Sequence, residues 1–242
     1  STNSLDLQAI AESKSVTAVD VFVYDTSKDS DGGAWRHRTQ GTSWYNETLN
    51  TSTRGATKKF PAVAVIVAES NKVTIYDGND PAMPMWMVFS NDLSAAFLYT
   101  LVSSVVMKDG LLVIGTDPNT GASQEYWDGG VKLANFISDK MRSYAHSNGY
   151  AYKNPISKRN IYNHPRFSIT GQPLVSSNVN DVAMTVLPNA PIDADTGLPV
   201  PTIAVATNGG VSVIKDDGSV QSLTGGAIET ISINDRHEFI TT

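Results

Sequence analysis

Apolar and polar residues alternate most clearly in residues 201–223, and this alternation predicts three short antiparallel strands. Two turn sequences, Asn-Gly-Gly at 208–210 and Asp-Asp-Gly at 216–218, separate the strands. Such turns supply the positive φ angles that tight hairpins require. Residues 181–187 read as a fourth strand, so the segment has the four-stranded antiparallel form of one β-propeller blade.

Similar apolar runs recur along the chain. Residues 18–25 (AVDVFVYD) and 62–69 (AVAVIVAE) match in pattern at an offset of 44 residues. Residues 103–116 form a further predicted hairpin around an Asp-Gly pair. Equivalent strands therefore begin near residues 18, 62, 111 and 202, and a further member is expected near 155–160. The spacing approaches the period of about 45 residues found in propeller repeats.

The sequence thus predicts an all-β fold, a β-propeller-like array of four to five four-stranded antiparallel blades with long loop insertions and one or two short helices. Residues 1–15 are a lead-in segment, and residues 16–242 form a single domain. The last blade is incomplete, because residues 228–242 supply only its first two strands. This abrupt end and the missing initiator Met favour a fragment of a longer chain.

Several segments leave the choice of element open or interrupt the strand pattern. Residues 34–39 are predicted as the partner strand of the first run, and residues 41–59 as a polar insertion loop. Residues 91–101 fit either a short helix or a run into the next strand. Residues 131–143 have apolar positions that suit a helix face, whereas the blade pattern predicts strand.

Composition narrows the classes of partner. The 242 residues carry a net charge of −6 with a pI of about 5.1, which disfavours nucleic acid as a partner. The chain has no cysteine, so disulfides and thiolate metal sites are excluded. The longest apolar stretch, residues 95–107, is shorter than the roughly 20 residues of a membrane span, and no membrane insertion is expected.

Motifs that carry chemistry are absent from the sequence. It contains no nucleophile elbow, phosphate-binding loop or His-Glu-x-x-His pattern, so we predict no catalytic residue and no cofactor. Two acidic loops, containing Asp29 and Asp31 and containing Asp193 and Asp195, resemble calcium-binding loops in their oxygen spacing. Neither has the twelve-residue calcium register, and solvated Asx turns are the preferred interpretation. Asp29 and Asp31 remain weak metal candidates, and no metal site is predicted.

Aromatic residues in predicted loops are the candidate binding residues. Trp35 and Trp86 lie in predicted strands, where packing between blades is the expected role. For aromatic residues in predicted loops, packing within the protein and stacking on sugar rings are equally open interpretations. The candidates for binding a ligand are therefore Trp44, Tyr45, Tyr126 and Trp127.

Long runs of the chain resemble structural proteins of tailed bacteriophages, particularly marine ones. They span about residues 19–242 and include VFVYDTSKDSDGGAWRHRT, TSWYNETLN, FPAVAVIVAESNKVTIYDG, PMWMVF and NDVAMTVLPNAPIDADTGLPVPTIAVATNGGVSVIKDDGSV. Similar segments of those proteins recur within a propeller-like region. The resemblance implies a virion component in the tail or fibre apparatus that contacts the host or another structural protein. It carries over no catalytic residue.

The leading hypothesis is a non-enzymatic virion structural or adhesion protein built on a propeller scaffold. Its expected partners are other virion proteins or a host surface glycan, and homo-oligomerisation is left open. Two alternatives are a glycan-degrading virion enzyme on the same scaffold and a free-standing lectin with a small closed ring.

Overall fold

The computed structural model describes residues 18–90, 97–98, 100–118, 129–161, 165–169 and 173–242. Within these ranges sixteen strands form four antiparallel sheets, and the helices are three short 3-10 turns. No helix in these ranges has the length and apolar character needed to cross a membrane. The predicted lead-in, residues 1–15, lies outside the described residues.

The strands of each sheet follow one another in chain order. Sheet 1 contains β1 (Ala18–Asp25), β2 (Val63–Glu69), β3 (Lys72–Asp77) and β4 (Met85–Ser90). Sheet 2 contains β5 (Leu101–Lys108), β6 (Leu111–Asp117), β7 (Gly130–Asn135), β8 (Lys140–Tyr144), β9 (Gly149–Tyr152) and β10 (Arg166–Ile169). Sheet 3 contains β11 (Val179–Thr185), β12 (Thr202–Thr207), β13 (Gly210–Ile214) and β14 (Val220–Thr224). Sheet 4 contains β15 (Ile231–Ile233) and β16 (Phe239–Thr241).

The sheets pack face to face in the same order, and sheet 2 contributes one face to each of two hydrophobic cores. Leu112 and Ile114 of β6 lie in the core shared with sheet 1. Val113, on the same strand, lies in the core shared with sheet 3. This arrangement follows from the two-residue alternation of side chains along a strand, which gives a doubly buried strand two apolar faces.

The first strand of each sheet lies on one side of the stack, beside the first strand of the next sheet. β1 contacts β5, β5 contacts β11, and β11 contacts β15. Successive four-stranded meanders that pack face to face, with their first strands together around an axis, define a propeller-type arrangement. The predicted all-β propeller-like fold is confirmed, and the described residues form four sheets, of which the last has two strands.

The assignment of equivalent strands is partly wrong. β1 and β2, treated as equivalent members of successive blades, pair with each other in sheet 1, where Phe22 lies opposite Ile66. The corresponding second strands are instead β2, β6 and β12, each with a buried central run. No new sheet begins near residues 155–160, because β9 and β10 extend sheet 2 to six strands.

The structure also shows which elements two shorter segments form. Residues 34–39 contain the 3-10 helix Ala34–His37 in place of the predicted strand, because Gly32 and Gly33 have positive φ angles of 65° and 81° and turn the chain back. Residues 131–143 fall in β7 and β8 and the turn between them, as the blade pattern predicts. Of the ambiguous segment 91–101, Leu101 begins β5, while residues 91–96 and 99 lie outside the described ranges.

Candidate functional site

A polar belt, formed by Asp20, Ser104 and Asp181, joins the first strands of successive sheets. A β-bulge precedes each of these residues, since the pairing register shifts between Ala18 and Asp20, and the shift recurs in β5 and β11. The extra residue re-aims the following side chain. The bulge thus places one polar side chain per sheet at the same point beside the axis.

Each belt residue contacts the backbone or side chain of the next first strand. Asp20 accepts a hydrogen bond from the Val105 amide at 2.8 Å, and Asp181 accepts one from the Ile231 amide at 2.9 Å. The Ser104 hydroxyl oxygen lies 3.1 Å from the Asp20 carboxylate and 2.8 Å from the Asp181 carboxylate. Both carboxylates are thus occupied by donors of the protein, although they line an axial hollow of about 300 Å³.

One face of sheet 1 packs on no other described sheet, and we call it the open face. Val65 and Val67 of β2 are buried on this face, where they pack with Ala18, Tyr76 and Met83, so its exposed part is β1. Its β1 side chains Val19, Val21 and Val23 are 49%, 42% and 36% exposed. Phe22 and Tyr24, at the alternate positions, point instead to the core shared with sheet 2. A row of three exposed valines on one strand is the kind of apolar surface that marks an interface.

A second surface feature is a cleft between sheets 2 and 3, which we call the inter-sheet cleft. It has a volume of about 270 Å³. Aliphatic side chains from both sheets line it, namely Leu111, Leu133, Ile203 and Ile214. Charged side chains also line it, namely Lys140, Arg142, Lys215, Asp193, Asp195, Asp216 and Asp217. Of these residues, the sequence pointed only to Asp193 and Asp195, as an acidic loop for which a solvated Asx turn was the preferred interpretation.

An ion pair connects the two sides of the inter-sheet cleft. Lys140 of β8 donates to the carboxylate of Asp195, which lies in the loop before β12. The hydrogen bond and the charge of Lys140 hold the pKa of Asp195 below its ordinary value. Arg38 donates to the Thr196 carbonyl at 3.3 Å and ties the same loop to residues near sheet 1.

Asp29 has a structural role in the protein interior. It accepts hydrogen bonds from the Tyr24 hydroxyl, from the Trp35 indole nitrogen at 2.8 Å and from the Asp109 amide at 2.9 Å. Burial raises the pKa of Tyr24 far above its ordinary value, and the neighbouring Asp29 charge adds to the shift. The Tyr24 hydroxyl therefore keeps its proton and acts as a donor.

Asp31, the other weak metal candidate, has different hydrogen-bond partners from Asp29. Its carboxylate accepts from the Gly33 amide at 3.0 Å and pairs with Arg38 at 3.2 Å. Across the described ranges no group of three or more metal-ligating side chains is present. Asp29 and Asp31 are thus each engaged by donors of the protein, and the bond from the Gly33 amide to Asp31 is of the Asx-turn type preferred from the sequence.

The expectation that Trp44 is exposed is wrong. Its side chain is fully buried, and its indole nitrogen donates to the Phe136 carbonyl at 2.9 Å. The ring packs edge-on against Trp86 and Phe136, each at a centroid distance of 5.5 Å. Trp44 therefore anchors the insertion loop on the core. Tyr45 beside it is partly buried and lies under the Lys58 ammonium group.

Of the remaining aromatic residues, Trp35 and Trp86 are buried in the same core as Trp44, as expected for packing residues. Trp35 lies in a 3-10 helix and Trp86 in β4. Tyr126 and Trp127 lie outside the described residues, so the structure places neither of them in relation to Trp44 and Tyr45.

Two buried arginines hold the insertion loop on sheet 1, and no sequence pattern pointed to them. Arg159 binds both carboxylate oxygens of Glu47, at 2.9 and 3.1 Å, and also donates to the Val88 carbonyl. The Arg54 guanidinium lies 4.4 Å from the centre of the Trp86 ring. Burial lowers the pKa of Arg54 to about 10, and the nearby Glu47 opposes that shift.

No protein-family model matches this chain, and no curated protein matches it. Solved structures with a similar fold include a candidate gluconolactonase, which is 11% identical over 74% of this chain and 67% of its own, with a TM-score of 0.30. A gluconolactonase from Xanthomonas campestris is 11% identical over 74% of this chain and 65% of its own, with a TM-score of 0.29.

A third similar structure is the extracellular domain of a candidate one-component system from B. thetaiotaomicron. It is 12% identical over 74% of this chain and 25% of its own, with a TM-score of 0.30. The chain thus spans about two thirds of the first two structures and a quarter of the third.

The sequence-based prediction of a non-enzymatic protein is corrected by these similarities. Two of the similar structures have names that describe gluconolactonases, which are enzymes. At 11% identity the likeness concerns the fold alone, and it transfers neither a catalytic residue nor a substrate to this chain.

Proposed function

We propose that this protein is a structural component of a bacteriophage virion, in the tail or fibre apparatus, where its sheets form a scaffold that binds a neighbouring protein. The observation that carries the proposal is the open face of sheet 1, with three exposed valines on β1. The resemblance of residues 19–242 to phage structural proteins supports the same assignment, because such proteins function in permanent assemblies.

The partner that fits the open face is a further antiparallel sheet with aliphatic side chains, supplied by a neighbouring virion protein. Within the chain, sheet 1 packs on sheet 2 and sheet 2 on sheet 3 through apolar faces of this kind. The open face is the next position in the same series, so a sheet of the same character would continue it.

Backbone groups beside the axis favour the same partner. The Val105 amide donates to Asp20 of the preceding sheet. The Val182 amide donates to Asp181 of its own strand at 2.8 Å and also lies 3.4 Å from the Ser104 hydroxyl of the preceding sheet. The equivalent amide in β1, that of Val21, donates to Asp20 of its own strand, and no described sheet precedes it. A docked sheet with an Asp or Ser at the belt position would extend the belt to Val21.

Replacing Val21 and Val23 together by aspartate tests the docking role. Charges on an interface core oppose burial, so we expect the double variant to enter phage particles at least tenfold less than the wild-type protein during complementation of a phage that lacks it. Leu223→Asp on β14, which is also exposed, is the matched control and should assemble normally. Equal incorporation of the double variant and the control would exclude the open face.

The virion assignment has a separate test. Mass spectrometry of purified particles of the phage that encodes this chain should detect its peptides in a fixed ratio to known tail proteins. Detection only in the infected cell, with none in purified particles, would overturn the proposal whatever the open-face variants do.

A further inference from the structure

The inter-sheet cleft contains charged groups that lack a hydrogen-bond partner in the protein. Lys215 and Asp216 line the cleft and are partly buried. In the part of the chain that the structure describes, neither side chain makes a hydrogen bond or an ion pair. Their charged atoms are not among the buried polar atoms that lack a partner, so water solvates them in the free protein and a bound molecule can replace that water. These two adjacent side chains thus offer one set of donors and one set of acceptors to a bound molecule.

The charges around the inter-sheet cleft disfavour an ionic ligand of either sign. Three cationic side chains and four carboxylates line it, which leaves one net negative charge. A phosphate or sulfate group would meet the carboxylates, and an amine would meet the lysines and the arginine. A neutral molecule rich in hydroxyl groups avoids both conflicts, because each hydroxyl can donate to a carboxylate and accept from an ammonium group.

The remaining lining of the cleft combines aliphatic side chains from both sheets with the polar side chains of Asn135, Ser138 and Tyr144. Leu111 and Leu133 face the cleft from sheet 2, and Ile203 and Ile214 face it from sheet 3. Its volume of about 270 Å³ is below the roughly 300–1,000 Å³ of pockets for drug-sized ligands. A single ring with a C–H face and a polar rim matches this combination of size, floor and edge.

We propose that the inter-sheet cleft binds one neutral sugar residue of a glycan. Its hydroxyl groups donate to Asp216 and accept hydrogen bonds from Lys215, and its C–H face lies on the aliphatic floor. The ion pair between Lys140 and Asp195 bounds the site and keeps the loop before β12 in place.

This ligand site goes beyond the proposed scaffold role and does not depend on it. The cleft lies between sheets 2 and 3, whereas the open face belongs to sheet 1. A variant with Val21→Asp and Val23→Asp should therefore retain sugar binding, and failure of either proposal leaves the other to be judged by its own experiment.

Nuclear magnetic resonance provides the test. The full chain, labelled with nitrogen-15, is titrated with the methyl glycosides of glucose, galactose, mannose and N-acetylglucosamine. We expect at least one of them to shift amide signals of residues 140–144 and 215–218 in a saturable way. Glucose 6-phosphate and glucosamine serve as charged comparators and should bind at least several-fold more weakly.

The site residues are then tested by substitutions that remove their charges. Asp216→Asn keeps the shape of the side chain and Lys215→Gln replaces the ammonium group by a neutral amide on a shorter side chain; together they should weaken binding at least tenfold, since charged hydrogen bonds are stronger than neutral ones. Asp235→Asn, in the turn between β15 and β16, is the control and should bind as the wild type does. Far-UV circular dichroism checks that each variant is folded.

Three results would overturn the proposal. The first is that no neutral glycoside of the panel shifts the cleft amides at concentrations up to about 50 mM, which excludes even weak binding of some 2 kcal/mol. The second is tighter binding of a charged comparator. The third is unchanged affinity in the folded double variant, which would place the sugar elsewhere.

Discussion

At the residue scale, buried charged side chains are held by several partners at once. Arg159 is almost completely buried, yet its guanidinium binds Glu47 through two nitrogens and also donates to the carbonyls of Val88 and Thr53. Such a group connects sheet 1, the insertion loop and the segment after β9. Its removal would leave Glu47 partly buried with a weaker partner, Arg54, at 3.9 Å.

Arg159→Leu is therefore expected to lower the free energy of unfolding by about 3 kcal/mol, the cost of breaking a buried pair. Urea unfolding followed by circular dichroism measures the change. Arg38→Leu is the matched control, because Arg38 pairs with Asp31 at the surface and should cost less than about 1 kcal/mol. Equal losses of unfolding free energy in the two variants would show that the buried Arg159–Glu47 pair contributes no more to stability than a surface ion pair.

Tyr24 gives a pH dependence with a definite sign. Burial and the Asp29 charge raise the pKa of Tyr24 well above its ordinary value of 10. Above pH 10 the unfolded chain loses this proton while the folded chain keeps it, so the stability contributed by Tyr24 is complete below pH 10 and declines as the pH rises further. The unfolding free energy of Tyr24→Phe should accordingly fall less steeply between pH 9 and 11 than that of the wild type. Parallel slopes would contradict this.

At the element scale, the hairpins depend on glycines at particular positions. Gly210 begins β13 with a φ of 121°, and a Cβ atom there would lie 2.1 Å from the Leu223 carbonyl oxygen. Gly130 begins β7 in the same way, with a φ of 104° and the Tyr144 oxygen 2.0 Å from such an atom. In both sheets a threonine of the second strand donates to the glycine carbonyl at 2.8 Å.

Gly210→Ala is expected to destabilise the protein by about 2 kcal/mol or more, because the positive φ and the backbone approach both oppose a side chain. Gly226→Ala is the control, since nothing lies within 4 Å of a Cβ atom there and its φ is not in the positive range. It should change the midpoint of thermal unfolding very little. A similar loss of stability in both variants would contradict this, because it would show that the positive φ and the close backbone approach at Gly210 do not determine the effect.

At this scale the sequence predicted most individual strands and turns, but it did not show which strands occupy equivalent positions in successive sheets. The meander of sheet 3 was predicted in full, because each turn is a local matter of φ angles and each strand a local alternation. β1 and β2 look alike because both are apolar strands of sheet 1, and no local signal distinguishes neighbours in one sheet from equivalents in two. The bulges before Asp20, Ser104 and Asp181 recur at the true equivalent positions.

At the scale of the whole molecule, sheet 2 couples the two large cores. One of its faces packs on sheet 1 and the other on sheet 3, so sheet 2 cannot unfold without disrupting both cores. Three of the four tryptophans, Trp35, Trp44 and Trp86, lie in the core shared by sheets 1 and 2. Their fluorescence reports that core, whereas far-UV circular dichroism reports every sheet.

We therefore expect the two signals to follow one urea transition with the same midpoint, as two-state unfolding requires. A tryptophan transition that precedes or follows the circular dichroism transition by more than about 0.5 M urea would show that the sheets unfold separately. Ile231 of sheet 4 is buried against Ala204 and Ala206 of sheet 3, so Ile231→Ser should lower the common midpoint without separating the two signals.

The amino-acid sequence by itself determined the all-β class, most of the strands, several hairpin turns and the meander of sheet 3, because these depend on alternation and on turn residues close together in the chain. Only the tertiary structure decided which strands share a sheet, which faces are covered and which side chains meet. Trp44 bonds to a carbonyl 92 positions away, and Lys140 pairs with an aspartate 55 positions away. Burial and partnership of this kind arise from contacts between distant segments, which no local pattern encodes.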